Sequence, residues 1–422
     1  MGQYQKIKGT QDFYGVTANK LRTIEMVSSK VAKTYGFKEI ITPIFENSNV
    51  FIKNVGEESD VVKKEMYTFK DKGGRSITLR PEGTAAVARS FIENKMYANP
   101  GMTKYYYYGP MFRYERPQTG RYREFNQFGV EAYGSDSPLL DSDIILSGYN
   151  IFKSLGIKNV VLHINSIGDA ASRLNYSSFL QTYFKEYIDS MCIDCQRRLT
   201  TNPMRILDCK VDKENIAIKN APNITDFLTN ESKEYFSNVL KTLDALEIPY
   251  IVDTRLVRGL DYYTDTVFEF VINSNDELNG LALGGGGKYA NLINSMVGKN
   301  VSGIGYAFGL ERISAVMDKQ NAWKDLETIT DCVILGLDDE SKISAMLLSN
   351  ELRCKGLTVE IDYASTKLKP QFKLAERVNC KYIIIIGEEE RKTGLYMVKN
   401  TVTKTQKKIS KDKIYEYIEE EK

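Results

Sequence analysis

Apolar residues recur three or four positions apart at Leu21, Ile24, Val27, Val31 and Tyr35, a spacing that predicts an amphipathic helix over 17–35 ended by Gly36. The run FKEIITPIFE behind it reads as a strand, and Pro43, which has no backbone donor, confines that strand to an edge or an interface. Residues 105–134 read as a strand, a charged loop and a second strand, with Met111, Arg113 and Glu115 on one pleat face and Gln127, Gly129 and Glu131 sharing a face on the return. A polar, mainly helical stretch at about 169–247 then interrupts a strand-rich core. From about 331 the pattern becomes DCVILGL, a helix, GLTVEID, another helix, KYIIIIG, then a hairpin and a closing helix. Strands alternating with helices predict a small α/β domain with parallel pairing.

The expected organisation is an α+β domain with an antiparallel sheet over 1–325, a helical insertion at 168–248 within it, and a separate α/β domain over 331–422. A chain of 422 residues can build two or three cores of this kind. With 57 basic and 55 acidic residues the net charge is only +2, so any nucleic-acid contact must come from local patches. No apolar run approaches the roughly 20 residues of a membrane span. The start MGQYQKIKGTQDFYG has neither a signal-peptide core nor a serine or threonine at position 6, so a cytoplasmic protein without membrane partners is expected.

Several segments carry candidate chemistry. The loop from Arg116 to Arg123, with Arg116, Arg121 and Arg123, a proline and a glycine between aromatic runs, is a hairpin with a cationic tip. In TLRPEGT, Glu82 and Thr84 stand on one side of a turn where a carboxylate and a hydroxyl could bind an ammonium group. Four consecutive glycines, Gly284 to Gly287, allow a ligand or a strand to approach the backbone closely. Gly303, Gly305 and Gly309 precede Glu311 and Arg312 and would leave room for a nucleotide. Lys369, Lys373 and Arg377 lie four apart on a helix expected to start near Pro370, where they form a basic stripe. The lone histidine, His163, sits in VVLHINS and is read as structural. Six cysteines do not make a disulfide framework in a chain this long. Cys192, Cys195 and Cys209 could begin a zinc site, but a structural site needs four ligands and no histidine is near, so stoichiometric zinc is not expected.

The stretch YYYYGPMFRYERPQTGRYREFNQFGVEAYG resembles motif 2 of class II aminoacyl-tRNA synthetases, and the helix leading to Pro43 resembles their dimer-forming motif 1. VSGIGYAFGLERI resembles motif 3, while LVRGLDYYTDTVFEF and TLRPEGT resemble signatures of the histidyl-tRNA synthetase family. The resemblance implies a class II catalytic domain, a helical insertion that approaches tRNA, and a C-terminal anticodon-binding domain. By position, it implies that Arg113 grips the α-phosphate of ATP and Arg312 the γ-phosphate, while Arg258 acts beside the reacting carboxylate. Glu82, Thr84 and Gln127 would bind histidine, with Glu131 on one imidazole nitrogen and Tyr263, beside Tyr262, on the other. Arg116, Arg121, Arg123, Lys369, Lys373 and Arg377 would meet tRNA.

The implied activity is a homodimeric enzyme that activates L-histidine with ATP and Mg2+ and transfers it to the 3′ end of tRNA(His). The alternative is a synthetase-like regulatory subunit of histidine biosynthesis that binds histidine or a partner enzyme without aminoacylation. Lys288, Ala290 and Asn291 depart from the family's usual Arg, Asp and Gly after the glycine run. Tyr114 and Asn126 stand where histidine is common.

Overall fold

A computed structural model describes residues 4–56, 59, 61–116, 121–209, 211–257, 262–289, 292–324 and 330–420. The chain divides into two compact units, Met1–Lys324 and Asp325–Lys422.

The first unit is built on an eight-stranded sheet. In chain order its strands and those of a small neighbouring sheet are β1 (Lys38–Glu39), β2 (Phe45–Asn47), β3 (Tyr67–Lys70), β4 (Ser76–Leu79), β5 (Thr103–Phe112), β6 (Glu124–Tyr133), β7 (Val160–Ser166), β8 (Tyr250–Val252), β9 (Thr264–Ile272), β10 (Ala282–Tyr289) and β11 (Gly303–Gly309). The large sheet runs β1-β5-β6-β11-β10-β9-β7-β8. Its six central strands pair antiparallel, as expected, but β1 joins β5 and β8 joins β7 in parallel.

The FKEIITPIFE expectation fails at Pro43. Instead of one strand, the segment forms β1 in the large sheet and β2 in the three-stranded sheet β2-β4-β3. A proline lacks the donor that a continuous ladder would need, so the chain leaves one sheet there and enters another.

Period-two alternation sorts the sheet faces. On β6, Phe128, Val130 and Ala132 enter the main core, whereas Gln127, Gly129 and Glu131 point to the other side. The core face is covered by the helices Val16–Thr34, Pro138–Ser154, Asn230–Ala245 and Leu310–Lys319. The first of these buries Leu21 and Ile24 and stops before Gly36, whose φ of 80° suits only glycine at low cost.

The segment between β7 and β8 is helical, as its polarity suggested, with Ala170–Lys185, Ile193–Thr201, Ile216–Lys219 and Asn230–Ala245. It is not uniformly separate. The last helix buries Phe236, Val239 and Leu243 in the main core, while the earlier helices share a second core with Tyr107, Tyr262, Tyr263 and Tyr289 on the opposite sheet face.

The second unit has strands β12 (Cys332–Gly336), β13 (Val359–Ile361), β14 (Tyr382–Ile386), β15 (Leu395–Asn400) and β16 (Gln406–Ser410), ordered β13-β12-β14-β15-β16. β13, β12 and β14 are parallel, and β15 and β16 close the sheet as an antiparallel hairpin. Apolar clusters on both faces account for the near-continuous apolar runs CVIL and YIIII.

Candidate active site

The sheet face opposite the main core carries a cavity of about 390 Å³. Glu82, Thr84 and Gln127 line one part of it, Tyr262 and Tyr263 another, and Arg113 and Arg312 a third. Residues drawn from four separated sequence segments are thus brought to one place.

Behind the lining residues Thr84 and Tyr289, Glu131 is fully buried and held from two sides. Thr84 Oγ1 donates to Glu131 Oε1 at 2.6 Å, and the Tyr289 hydroxyl donates to Oε2. Removal from water pushes the Glu131 carboxyl up to about 8, against the pull of those hydrogen bonds. Glu82 is also raised by burial, although its two oxygens accept from the backbone N–H groups of Ala85, at 2.9 Å, and Thr84, at 2.7 Å. The same contacts cap the helix Thr84–Glu93, so Glu82 serves the fold and the cavity together.

Gln127 Oε1 is buried without a hydrogen-bond partner among the described residues. An orphaned acceptor in a cavity wall is costly unless a ligand donor meets it. Tyr262 and Tyr263 are buried with ring centroids 4.6 Å apart, and Tyr262 meets Tyr289 edge-on at 5.6 Å.

The cationic part is oriented by backbone carbonyls. Arg113 Nε donates to Pro81 O at 2.8 Å while its guanidinium lies 5.5 Å from the centre of the Phe125 ring. Arg312 Nη1 donates to Ala282 O at 2.8 Å. Both guanidiniums are thereby fixed at cavity walls, the preorganisation that phosphate recognition requires.

The hairpin arginines separate. Arg121 joins the cavity wall with an Nη1 3.6 Å from Glu115, and Arg123 stacks 3.8 Å over the Tyr114 ring. Of the three, only Arg116 is exposed. Arg258, Ala290 and Asn291 lie outside the described residues. Lys288 is buried away from the glutamate network, with Nζ 2.9 Å from the Tyr235 hydroxyl and 3.4 Å from Asp136.

The glycine run allows the close approaches expected of it, to a neighbouring strand at Gly286 and to the cavity at Gly284 and Gly285. A Cβ on Gly305 would meet Glu131 Oε2 at 2.1 Å, and one on Gly303 would meet the Tyr289 ring at 2.2 Å. A Cβ on Gly286 would strike Gly305 O at 1.9 Å. Gly303 and Gly305 therefore make room for Tyr289 and Glu131, and Gly305 also lines the cavity. Gly309, with only Asn126 O at 4.0 Å, keeps space open where the helix Leu310–Lys319 begins.

Sequence reasoning missed Tyr289, Glu269 and Glu311. Tyr289 follows Gly287 by two residues, and that alternation was the available signal. Glu311 Oε1 accepts from Asn126 N at 2.8 Å and Nδ2 at 3.0 Å, while Glu311 Oε2 is buried without a partner among the described residues. His163 is structural, its Nδ1 lying 3.0 Å from Asp253 Oδ2.

In the second unit, Lys369, Lys373 and Arg377 are exposed on the helix Leu368–Arg377. Lys373, Arg377 and Tyr363 border a depression of about 460 Å³.

Residues 9–313 match the family model described as histidyl-tRNA synthetase, and residues 331–421 match one described as an anticodon binding domain. A histidine-tRNA ligase of Staphylococcus aureus (strain JH9) is 48% identical over 412 residues, 97% of this chain and 98% of the relative. The crystal structure of apo S. aureus histidyl-tRNA synthetase superposes with a TM-score of 0.85 at 42% identity, covering 99% of this chain and 100% of that one. At the level of fold alone, histidyl-tRNA synthetase from Nostoc sp. PCC 7120 aligns with TM-score 0.71 and 19% identity over 100% of both chains.

Proposed function

The chain belongs to the histidyl-tRNA synthetase family and is a histidine-tRNA ligase, and from that premise we propose how its residues divide the work. The single observation that carries this division is the buried Thr84–Glu131–Tyr289 network beneath a cavity walled by Arg113 and Arg312.

Histidine enters with its imidazole toward Glu131 and the Tyr262–Tyr263 pair and its ammonium toward Gln127 Oε1, Glu82 and Thr84. A ring with two nitrogens can satisfy Glu131 and Tyr263 together. A hydrophobic side chain offers no further hydrogen bond to Glu131, already held by Thr84 and Tyr289, or to Tyr263, and the discrimination rests on the added bonds that the imidazole makes. ATP lies toward Arg113, on the α-phosphate, and Arg312, on the γ-phosphate. The histidine carboxylate attacks the α-phosphorus, a P–O bond to it forms, and the bond to the leaving pyrophosphate breaks. Negative charge grows on the phosphoryl oxygens in that step, and fixed guanidiniums stabilise it. We assign Arg258 to the same charge from its position in the sequence signature. Transfer of the histidyl group to the terminal adenosine of tRNA(His) completes the reaction.

The donors also fit Mg2+, because carboxylate oxygens are its preferred protein ligands. Glu311, whose Oε2 is a buried acceptor without a partner among the described residues, and Glu269 would hold it. When bound, the ion neutralises phosphate charge on ATP.

We place tRNA against exposed Arg116 and, in the second unit, against Lys373 and Arg377 beside Tyr363, whose 68% exposed ring offers a face for base stacking. A homodimer is supported by the exposed apolar residues Ile41, Ile44 and Phe45 around Pro43. No helix among the described residues is long and apolar enough to cross a membrane, and we assign the chain to the cytoplasm.

The regulatory-subunit alternative is not favoured by near-full-length identity of 48% to a ligase. Charging is the test. The protein with ATP, Mg2+ and labelled histidine is expected to esterify a tRNA(His) transcript, and binding of histidine without any ester product would overturn the reading.

A further inference from the structure

Cys192, Cys195, Cys209 and Asp212 lie in the helical region, outside the cavity that holds the glutamate network, with one ligand-capable atom of each within 4.8 Å of every other. In sequence they form two pairs, Cys192-x2-Cys195 and Cys209-x2-Asp212. Cys192 caps the start of the helix Ile193–Thr201, which carries Cys195, and Cys209 follows the short 3-10 turn Pro203–Ile206.

We propose that these four residues bind a structural Zn2+ ion. Four ligands close a tetrahedral shell, and soft thiolates favour zinc over the hard cations that accompany ATP.

The spacing of the donor atoms suits that ion. Zinc–sulfur bonds of about 2.3 Å and a zinc–oxygen bond of about 2.0 Å at tetrahedral angles put sulfurs roughly 3.8 Å apart and sulfur and oxygen about 3.5 Å apart. Cys192 Sγ and Cys209 Sγ are 3.6 Å apart, and Cys209 Sγ and Asp212 Oδ2 are 3.5 Å apart. The sulfur pair is also far outside the roughly 2.05 Å of a disulfide.

The surrounding hydrogen bonds are those of a metal-ready knuckle. The backbone N–H of Asp212 points at Cys209 Sγ at 3.4 Å, and the backbone N–H of Cys192 donates to Asp212 Oδ2 at 2.9 Å. Such donors orient the ligands and take up part of the charge that three thiolates and a carboxylate carry in excess of a dication. Lys64, Arg198 and Arg205 border the neighbouring depression together with Cys192 and Cys209, as do Glu65, Asp194 and Asp208, so the cluster stands among charges of both signs.

The ion would join segments that the hydrophobic core secures only in part. Cys195 and Cys209 are buried among Met204, Ile206 and Leu207, whereas Cys192 and Asp212 are half-buried. Bonding across the 17 residues from Cys192 to Cys209 fixes the start of the helix Ile193–Thr201. Asp194 in that helix reaches Lys64 at 3.4 Å, which ties the knuckle to the segment beside Arg113 and Arg121.

Elemental analysis of the full chain, purified under reducing conditions without chelator, is expected to give about one zinc per chain. Cys195→Ser should lower that at least about tenfold, and Asp212→Ala should weaken retention against a chelator. Should either variant fold poorly, the wild-type chain answers alone. After chelator stripping, Co2+ should produce thiolate charge-transfer and strong tetrahedral absorption bands, and Zn2+ should protect Cys192, but not exposed Cys354, from maleimide. Wild-type chain that holds only trace zinc and gives Co2+ spectra of octahedral, oxygen-ligated ion would overturn the proposal.

Discussion

Glu131 is the residue on which the specificity argument turns. Its folded-state carboxyl titrates near 8, above the roughly 4.3 of an exposed glutamate, so between those values the folded protein keeps a proton that the unfolded chain releases. Stability therefore falls as pH rises through that window, and the loss is complete above about pH 8. Glu131→Gln cannot ionise and keeps a similar shape. Its melting temperature is expected to fall less than that of the wild type between about pH 6 and pH 9, while histidine affinity drops by about tenfold or more, because the amide puts a donor NH2 where Thr84 and Tyr289 both donate to a carboxyl oxygen. Differential scanning calorimetry and histidine titrations check both, and parallel pH slopes in the two proteins would show that Glu131 does not carry the buried proton.

At the scale of elements, the site depends on strands whose side chains are missing. β11 approaches β10 and β6 at Gly305, where a Cβ would meet both Glu131 Oε2 at 2.1 Å and Val130 O at 2.3 Å. Gly305→Ala should cost about 1–3 kcal/mol of stability, as overpacking does, and should raise KM for histidine more than KM for ATP. Thermal melts and steady-state kinetics test this, and equal effects on the two substrates would mean that the strand, not the glutamate, responds. Much at this scale was legible in the chain. The helix at 16–34 follows its apolar spacing, and the hairpin follows alternation on both strands. The split at Pro43 was not, because a proline signals only where a ladder must break and not which sheet the chain enters next. Tyr289 and Asp212 were hidden for a related reason. A tyrosine after glycines and an acid in a polar stretch are common, and only the fold brings one to Glu131 and the other to three cysteines.

Across the whole molecule, activation is assigned to the first unit and part of tRNA recognition to the second. The exposed stripe of Lys369, Lys373 and Arg377 belongs to the second unit, whereas the cavity residues belong to the first. Replacing all three with alanine should leave pyrophosphate exchange unchanged but raise KM for tRNA by about tenfold or more at moderate salt, since each cation forfeits a phosphate contact. Aminoacylation kinetics at two salt concentrations would read it, and an unchanged KM would remove the stripe from the tRNA surface. Sequence pattern disclosed this stripe because helical spacing alone decides which residues share an exposed face, whereas it left Arg121 and Arg123 at a loop tip that folding does not give them.

Selection by Glu131 and Tyr263 of an amino acid with two ring nitrogens can be measured by exchange of labelled pyrophosphate into ATP with each amino acid in turn. Exchange is expected with histidine and at no comparable efficiency with phenylalanine or glutamine, with a large loss of the histidine-dependent rate in Glu131→Gln. Equal exchange with glutamine, or an undiminished rate in that variant, would contradict it.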